Sequence, residues 1–483
     1  MKLKQLIENT EIIETNASPE LEISGISYDS RRTEPGHIFV AICGFESDGH
    51  KFIPAAVSKG AAVVVCQKRP EEDIPYILVP DSRKALALLS CSFFGHPSRE
   101  MSVIGITGTN GKTTTTYLMK HMLQAALGAK VGLIGTNGNM IGDEFLHSER
   151  TTPDSFELQE LFRQMADAGC THVVMEVSSH SLVLSRVAGT DFDVGVFTNL
   201  TQDHLDFHNT MEEYASAKAR LFTHCKKGCF NIDDEWSGFM LENADCECLT
   251  YSAQGNAFLR AENIELTARG VAFDAVAGDD RANVKLAIPG KFSVYNALGV
   301  ISAGLALGLS LNSCAEALGT AAGVKGRMEL LPTDGDYTMV IDYAHTPDAL
   351  LNALRALKAG KEHRLVVLFG CGGDRDRKKR PIMGEIAADN ADYVIVTSDN
   401  PRTEEPQSII DEICAGLIGK STPYTVICDR VEAIHRAIDD HKPGDIILLA
   451  GKGHEDYQVI GTTKHHLDER EIVSEYIEKR KNR

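Results

Sequence analysis

No apolar run in the 483 residues approaches the ~20 that a bilayer span requires; the best are AAVVVC from Ala61 and IILLA from Ile446. The start, MKLKQLIENTEII, has neither the long apolar stretch nor the small-residue cleavage site of a signal peptide, so a cytoplasmic protein is the expectation. Positive charge is scarce: 49 Lys and Arg against 68 Asp and Glu leave a net charge of -19, which speaks against coating nucleic acid or an anionic membrane. If the substrates are themselves anions, the cations that meet them must be gathered locally. The 12 cysteines form no CxxC, and the closest pairs, Cys225/Cys229 and Cys246/Cys248, lack a second pair at zinc spacing. Reduced, mostly buried thiols are the expectation. There is no internal repeat and no low-complexity tract.

What is present is ordinary globular composition, 43% hydrophobic and 24% charged, over a length that suits about three domains at roughly 150 residues each. The first hundred residues alternate β-branched runs (GISYDSRR, HIFVAICG, AAVVVCQ, YILVP) with a helix-like stretch, FIPAAVSKG. FFGHPSRE, from Phe93 to Glu100, carries Gly and Pro and suits a boundary. From Ser102 the pattern becomes strand, glycine loop and helix, followed by the short apolar runs KVGLIGT, HVVMEVS and DVGVFTN, each fit for a buried parallel strand. A long apolar helix, FSVYNALGVISAGLALGL, closes this region, and LPTDG, Leu331–Gly335, marks a second boundary. Beyond it TMVIDYA, RLVVLFG, YVIVTSDN, YTVICD and DIILLAG alternate with helices, the pattern of repeated right-handed βα crossovers. The fold class expected is α/β in three domains: a small N-terminal α/β domain (1–97), a central P-loop ATPase-type domain with a mostly parallel sheet (98–332), and a C-terminal Rossmann-like domain (333–483).

Gly108-Thr109-Asn110-Gly111-Lys112-Thr113, with Thr114, follows a strand and opens a helix. Glycines let successive N–H groups face phosphate oxygens, and the helix N-terminus adds positive potential. Lys112 would reach the β- and γ-phosphates, and the Thr113 hydroxyl would ligate Mg²⁺. The pattern is a shortened one, because Ile106 stands five before Gly111 where the full motif has Gly. Such a loop gives nucleotide binding; motor, switch, kinase and ligase all remain open.

Glu176 ends the run HVVMEV, where parallel strands deliver ligand-binding residues, and could hold Mg²⁺ opposite Thr113; a solvated or capping carboxylate is the plain alternative. The run Gln202-Asp203-His204-Leu205-Asp206-Phe207-His208 has two histidines and two carboxylates for a second divalent ion, or is a polar loop capping a helix.

Taken in order, GTNGKTTT, MEVSSH, TNLTQDHLD, GRMEL and DYAHTPDAL resemble the Mur ligases, ATP-dependent enzymes that build the peptide stem of peptidoglycan. SYDSRR with DGHKFI, then GCGGDRDRKKRP, SDNPRTEEP and AGKGHEDYQ, resemble the branch that adds the third amino acid to UDP-N-acetylmuramoyl-L-alanyl-D-glutamate. The resemblance runs from about Ile26 to about Gln458. It implies that ATP phosphorylates a carboxylate and that an amine displaces phosphate from the acyl phosphate.

Carried over by resemblance, Lys112 and the loop amides hold ATP, Thr113 and Glu176 serve one magnesium, and His204 serves a second. Lys218, in YASAKARLF, falls on the family's carbamylated lysine, whose CO₂ adduct is an anionic oxygen ligand. On its own residues it reads as a lysine on an amphipathic helix. Asn296 matches an adenine contact, while Arg327, Asp342 and His345 match groups on the nucleotide side. Ser30 matches a residue near the uridine end, and Thr151, Thr152, Ser178 and Arg186 match groups holding the muramoyl peptide and its phosphates. Leu184 stands where a relative has Gln, so it is left out of the site.

The family branch divides between enzymes adding meso-diaminopimelate and enzymes adding L-lysine, which differ by one distal carboxylate. A guanidinium fork suits that carboxylate. Asp399-Asn400-Pro401-Arg402 has the form of the diaminopimelate-adding members, with Arg375, Gly451 and Glu455 as further contacts and Glu455 suited to the distal ammonium. The L-lysine-adding form is the alternative. The partners implied are small molecules, with no nucleic acid and no membrane, met by a monomer.

Overall fold

The computed structural model describes residues 1–44, 47–71, 73–148, 150–267, 269–358 and 363–481, with Asp206 described by its backbone alone. The chain is mixed α/β with several mostly parallel sheets. It divides into two compact units, Met1–Leu259 with Gly299–Ser310, and Arg260–Leu298 with Leu311–Arg483.

The first unit opens with a five-stranded sheet in the order Glu14–Thr15, Tyr76–Leu78, Val63–Cys66, His37–Val40, Gly25–Ser27. Only the Glu14–Thr15 edge runs antiparallel. Continuous β-branched runs suit a sheet covered on both faces, because alternate side chains must all be apolar. Ile38, Val40, Val63, Val65 and Ile77 accordingly face Ala85, Leu86 and Leu89 of the helix Ser82–Phe93. Phe39, Val64 and Cys66 pack on the other side against Ile53 and Ala56.

The larger sheet of this unit is built round the strand Ser102–Thr107, which lies between His172–Glu176 and Phe192–Phe197, parallel to both. Val131–Gly135 continues it beyond His172–Glu176, and Cys225–Asn231 then Glu247–Ser252 continue it beyond Phe192–Phe197. Two antiparallel strands, Gly138–Ile141 and Glu144–Leu146, close one edge. The two-residue loop Gly142-Asp143, with Gly142 left-handed (φ 62°), joins them where Ile141 faces Glu144. Strands on both sides of Ser102–Thr107 end beside the glycine loop, so the crevice at their C-terminal ends is a ready ligand site.

The second unit contains the strand Leu259–Thr267 from Arg260 onward and the strands Gly270–Ala277 and Asp280–Leu286, the last two an antiparallel pair, with the helix Leu311–Gly319 against them. Its six-stranded sheet runs Glu329–Leu331, Tyr337–Asp342, Asp445–Ala450, Leu365–Phe369, Tyr393–Val396, Tyr424–Val426, parallel apart from the first pair. The strand Glu329–Leu331 reaches into the segment expected as a boundary. The last long strand in sequence, Asp445–Ala450, sits inside the sheet and is wholly buried. Among the described residues no helix is long and apolar enough to cross a membrane.

Candidate active site

The loop Gly108–Gly111 turns from the strand Ser102–Thr107 into the helix Lys112–Leu127, whose first residue follows a left-handed Gly111 (φ 85°). At Gly108 (φ +150°) a Cβ would lie 1.9 Å from Thr198 Oγ1, so only glycine lets the loop pass there. The segment after Phe192–Phe197 holds the loop in place: Thr109 N–H donates to Asn199 O at 2.9 Å, and Asn110 N–H to Asn199 Oδ1 at 2.9 Å. Thr198 Oγ1 donates to Asn110 O at 2.7 Å. Lys112 Nζ folds back on the carbonyls of Gly108 (2.9 Å) and Thr109 (2.8 Å). Thr113 and Thr114 are buried in the first helical turn.

Lys218 sits on the helix Met211–Ala219 but does not face solvent. Its side chain is buried, its Nζ donates to Gly108 O at 2.7 Å, and it lies 4.4 Å from the centre of the Tyr214 ring. Burial, and then the charge of Lys112, press its pKa well below the ordinary lysine value, toward the neutral amine. Tyr214, one helical turn earlier, is within hydrogen-bond distance of Thr109 Oγ1 (3.2 Å), so the same helix face meets the phosphate loop twice. The sequence reading passed over Tyr214, although its i,i+4 spacing from Lys218 was visible.

Glu176 is buried at the end of its strand. Its oxygens accept from Thr136 N–H (2.9 Å) and Thr136 Oγ1 (3.1 Å), and Thr136 Oγ1 meets Thr151 Oγ1 at 3.0 Å. A Cβ on Gly135 would lie 2.5 Å from Glu176 Oε1, so the bare backbone there makes room for the carboxylate. Among the described residues no cationic side chain forms an ion pair with it. A buried, hydrogen-bonded anion of this kind fits a hard cation. His204, half exposed and left-handed (φ 53°), packs its ring edge-on to His180 at 5.0 Å. His208 is buried against Ser179 Oγ (2.8 Å), and burial with the nearby His180 and Lys218 pushes its pKa down to about 4. The Asp206 carboxylate, one of the four groups considered for a second cation, lies outside the described residues.

Thr152 ties the next group together. Its hydroxyl donates to Glu176 O at 2.8 Å and accepts from Ser178 N–H at 3.2 Å, while Arg186 donates to Thr152 O at 3.0 Å. Arg186 also pairs with Asp154 at 2.7 Å. Ser30, Arg186 and Leu184 line one cavity of about 940 Å³, with Arg83, Arg150 and His180. Arg83 and Arg150 were missed by sequence reasoning, being isolated cations in unremarkable segments, while His180 stood inside the quoted MEVSSH without being assigned to the site. The two arginines, with Arg186, supply the local positive charge that a chain of net charge -19 needs to meet an anion. Leu184 serves there as an apolar wall.

In the second unit Asp342 accepts from Met328 N–H at 2.8 Å, and Arg327 lies over the Tyr343 ring at 4.9 Å. The ring of His345 is 4.5 Å from that of Tyr343, so the three are neighbours. Asn296 is buried in the helix Lys291–Ala306. The remaining residues gather at the C-terminal ends of the six-stranded sheet. Asn400 Nδ2 donates to Glu455 Oε2 at 2.8 Å, and the fully buried Lys452 reaches Asn400 Oδ1 (3.2 Å) and Glu455 Oε2 (3.3 Å). Burial pushes the Glu455 carboxyl above its usual range against the pull of Lys452. Arg402, at φ 52°, donates to Gly373 O at 2.7 Å, and its N–H bonds Val459 O at 3.0 Å. Asp399 O accepts from Gln458 Nε2 at 2.6 Å, and a Cβ on Gly451 (φ +112°) would come within 2.6 Å of Asp399 Oδ2. Pro401 O closes on Gly373, and Arg375 is exposed beside them. Lys452 was not singled out from the sequence, although it stands inside the quoted AGKGHE.

A glycine loop on a strand-to-helix turn with a buried carboxylate on the adjacent strand has the form of a nucleotide-phosphate site, and the family matches make its class a ligase. Three family descriptions match the chain: "Mur ligase family, catalytic domain" over 22–94, "Mur ligase middle domain" over 106–304, and "Mur ligase, glutamate ligase domain" over 326–453. The chain is 47% identical to the UDP-N-acetylmuramoyl-L-alanyl-D-glutamate--2,6-diaminopimelate ligase 1 of Clostridium acetobutylicum over 99% of both chains. It is 46% identical to the like-named ligase of Caldanaerobacter subterraneus subsp. tengcongensis, again over 99% of each. A solved structure of a ligase of that name superposes with a TM-score of 0.76 at 33% identity, covering 100% of this chain and 99% of the other. The chain belongs to the Mur ligase family.

Proposed function

We propose that this chain is the ATP-dependent amide ligase that joins meso-2,6-diaminopimelate to UDP-N-acetylmuramoyl-L-alanyl-D-glutamate, a step of peptidoglycan precursor synthesis. Its full-length relatives carry that activity in their names. The observation that supports the choice of amino acid best is a cation and an anion, Arg402 and Glu455, carried on two loops at one end of the sheet. Arg402 and Glu455 stand on loops joined by the 2.8 Å Asn400–Glu455 bond, suited to a ligand bearing a carboxylate and an ammonium on one distal carbon. Lysine lacks that carboxylate and would offer Arg402 no countercharge, leaving its guanidinium with the bond to Gly373 O.

The chemistry proposed follows from the groups present. The γ-phosphoryl of ATP passes to the carboxylate of the sugar-linked dipeptide, forming an acyl phosphate and releasing ADP. The amine lone pair then attacks the acyl carbon, the tetrahedral adduct collapses, and the C–O bond to phosphate breaks as the amine proton departs. The loop amides and Lys112 orient the ATP phosphates; Asn296, Arg327, Asp342 and His345 are assigned to the nucleotide. Ser30, Thr151, Thr152, Ser178 and Arg186 are assigned to the UDP-muramoyl peptide, and Arg375, Asp399–Arg402, Gly451 and Glu455 to diaminopimelate. Mg²⁺, when bound, offsets the phosphate charge; Thr113, Glu176, His204 and carbamylated Lys218 are the residues proposed to hold it. An uncharged amine is the form that adds CO₂, and the burial of Lys218 favours that form.

We also retain the division into domains at 1–97, 98–332 and 333–483, supported by the three successive family matches, and the cytoplasm as compartment, where ATP and nucleotide-linked sugars are made. Mass spectrometry of product made from UDP-N-acetylmuramoyl-L-Ala-D-Glu, ATP, Mg²⁺ and a mixture of diaminopimelate and lysine tests the reading. An amide containing diaminopimelate, with one ADP per amide, is expected. A lysine product, or phosphate release with no amide, would sink it.

A further inference from the structure

The two loops assigned to the diamino acid leave the sheet from strands that are not neighbours. Asp399–Arg402 follows Tyr393–Val396 and Gly451–Glu455 follows Asp445–Ala450, with Leu365–Phe369 lying between. Their tips meet through Asn400, Lys452 and Glu455, all groups at the site itself. Their roots are joined by a side chain from elsewhere. Arg430 opens the helix Arg430–Asp439, and its guanidinium is fully buried. One arm donates to Ser398 O (3.4 Å), the other to Ala450 O (2.9 Å), and Nε donates to Glu469 Oε1 (2.8 Å). Ser398 and Ala450 are the residues immediately before Asp399 and Gly451.

Glu469, 1% exposed, opens the neighbouring helix Glu469–Lys481 and is the acid that pairs with this buried cation. A buried ion pair is weak evidence for stability, since apolar groups of the same volume often serve as well. A rigid planar fork does what an apolar group cannot: it fixes two carbonyls at a set separation across an intervening strand.

We propose that Arg430, oriented by Glu469, is a positioning residue for the diamino acid: it sets the separation between the loop bearing Arg402 and the loop bearing Glu455, and with it the preference for a ligand charged at both distal groups. The proposal rests on the functional reading above. A purely structural arginine would alter the amount of folded enzyme and leave KM and selectivity alone. A lysine in its place would keep a charge for Glu469 but, as a point donor, would not bridge both carbonyls. Arg430→Lys and Glu469→Gln in the full chain are therefore the variants to compare with the parent.

Expected for Arg430→Lys are a KM for diaminopimelate raised about tenfold or more and a lower diaminopimelate-to-lysine ratio of kcat/KM, with the KM values for ATP and the UDP-sugar peptide within about twofold of the parent. Glu469→Gln should move the same two quantities in the same direction by less. Both are independent of how much enzyme is folded. If Arg430→Lys yields no folded protein, Glu469→Gln decides alone by the same two quantities. Unchanged KM and ratio in the folded variants would overturn the role of Arg430. A parent enzyme that forms no amide with diaminopimelate would instead remove the functional reading.

Discussion

Lys112 and Lys218 donate to the same acceptor, the carbonyl oxygen of Gly108, at 2.9 and 2.7 Å. Two ammonium groups on one buried oxygen repel, and the more deeply buried of the two is the one driven toward neutrality. The phosphate loop thus carries, beside its fixed cation, an amine whose charge is easily changed.

For Lys218 the sign of the linkage is set by its lowered pKa. The unfolded chain holds the extra proton over the range between the folded value and about 10.5, so the destabilisation is fully present below the folded value and fades as pH climbs through that range toward 10.5. Lys218→Met should therefore melt above the parent in CO₂-free buffer near neutrality, with the gap closing at alkaline pH. Its kcat should fall about 100-fold or more. A melting gap that widens with pH would contradict the assignment.

Glu176→Gln keeps the shape of the side chain and its acceptor for Thr136 N–H but removes the charge. A folded enzyme with kcat/KM reduced about 100- to 1000-fold is expected, measured as ADP release coupled to amide formation. Gly135→Ala should act on the same group from the backbone side, because its methyl would press on Glu176 Oε1 at 2.5 Å. Its effect should fall mainly on kcat, and full activity would show that the carboxylate is free to move.

Arg402→Ala removes charge-assisted hydrogen bonds worth about 1.5–3 kcal/mol, so the diaminopimelate-to-lysine ratio of kcat/KM should drop about 10- to 100-fold. The left-handed backbone at this position (φ 52°) strains arginine and alanine alike and is relieved by glycine, so Arg402→Gly separates loss of the side chain from any effect of the backbone. Equal ratios in the parent and both variants would end the case for Arg402 as the selector.

Glu455 carries a raised pKa through burial, so it takes up a proton at a higher pH than a solvated glutamate with its ordinary value of 4.5. The KM for diaminopimelate should then rise as pH falls into the mildly acidic range, while the same profile of Glu455→Gln stays flat and high. A parent profile that is flat over that range would count against contact between Glu455 and an ammonium.

Much of the phosphate loop was legible because its chemistry is local: strand, glycines and helix start lie within a dozen residues and need no partner to be recognised. The buried strands Val63–Cys66, Ser102–Thr107 and Asp445–Ala450 were likewise visible as short β-branched runs. Cys225–Asn231 was not, because Lys226 and Lys227 interrupt its apolar pattern at the exposed end. Nor was the burial of Lys218: a lysine on an amphipathic helix is expected on the solvent face, and only the approach of Gly108 O and the Tyr214 ring encloses it.

The sequence by itself determined the residue types and their order, hence the α/β class, the phosphate loop and the family resemblance, because each rests on groups close together along the chain. Only the tertiary structure decided that Asp445–Ala450 enters the middle of its sheet, that Lys218 shares a carbonyl with Lys112, and that Arg430 spans Ser398 and Ala450. Those relationships join residues tens to more than a hundred positions apart, and their chemistry comes from burial and approach, which exist only once the chain has packed.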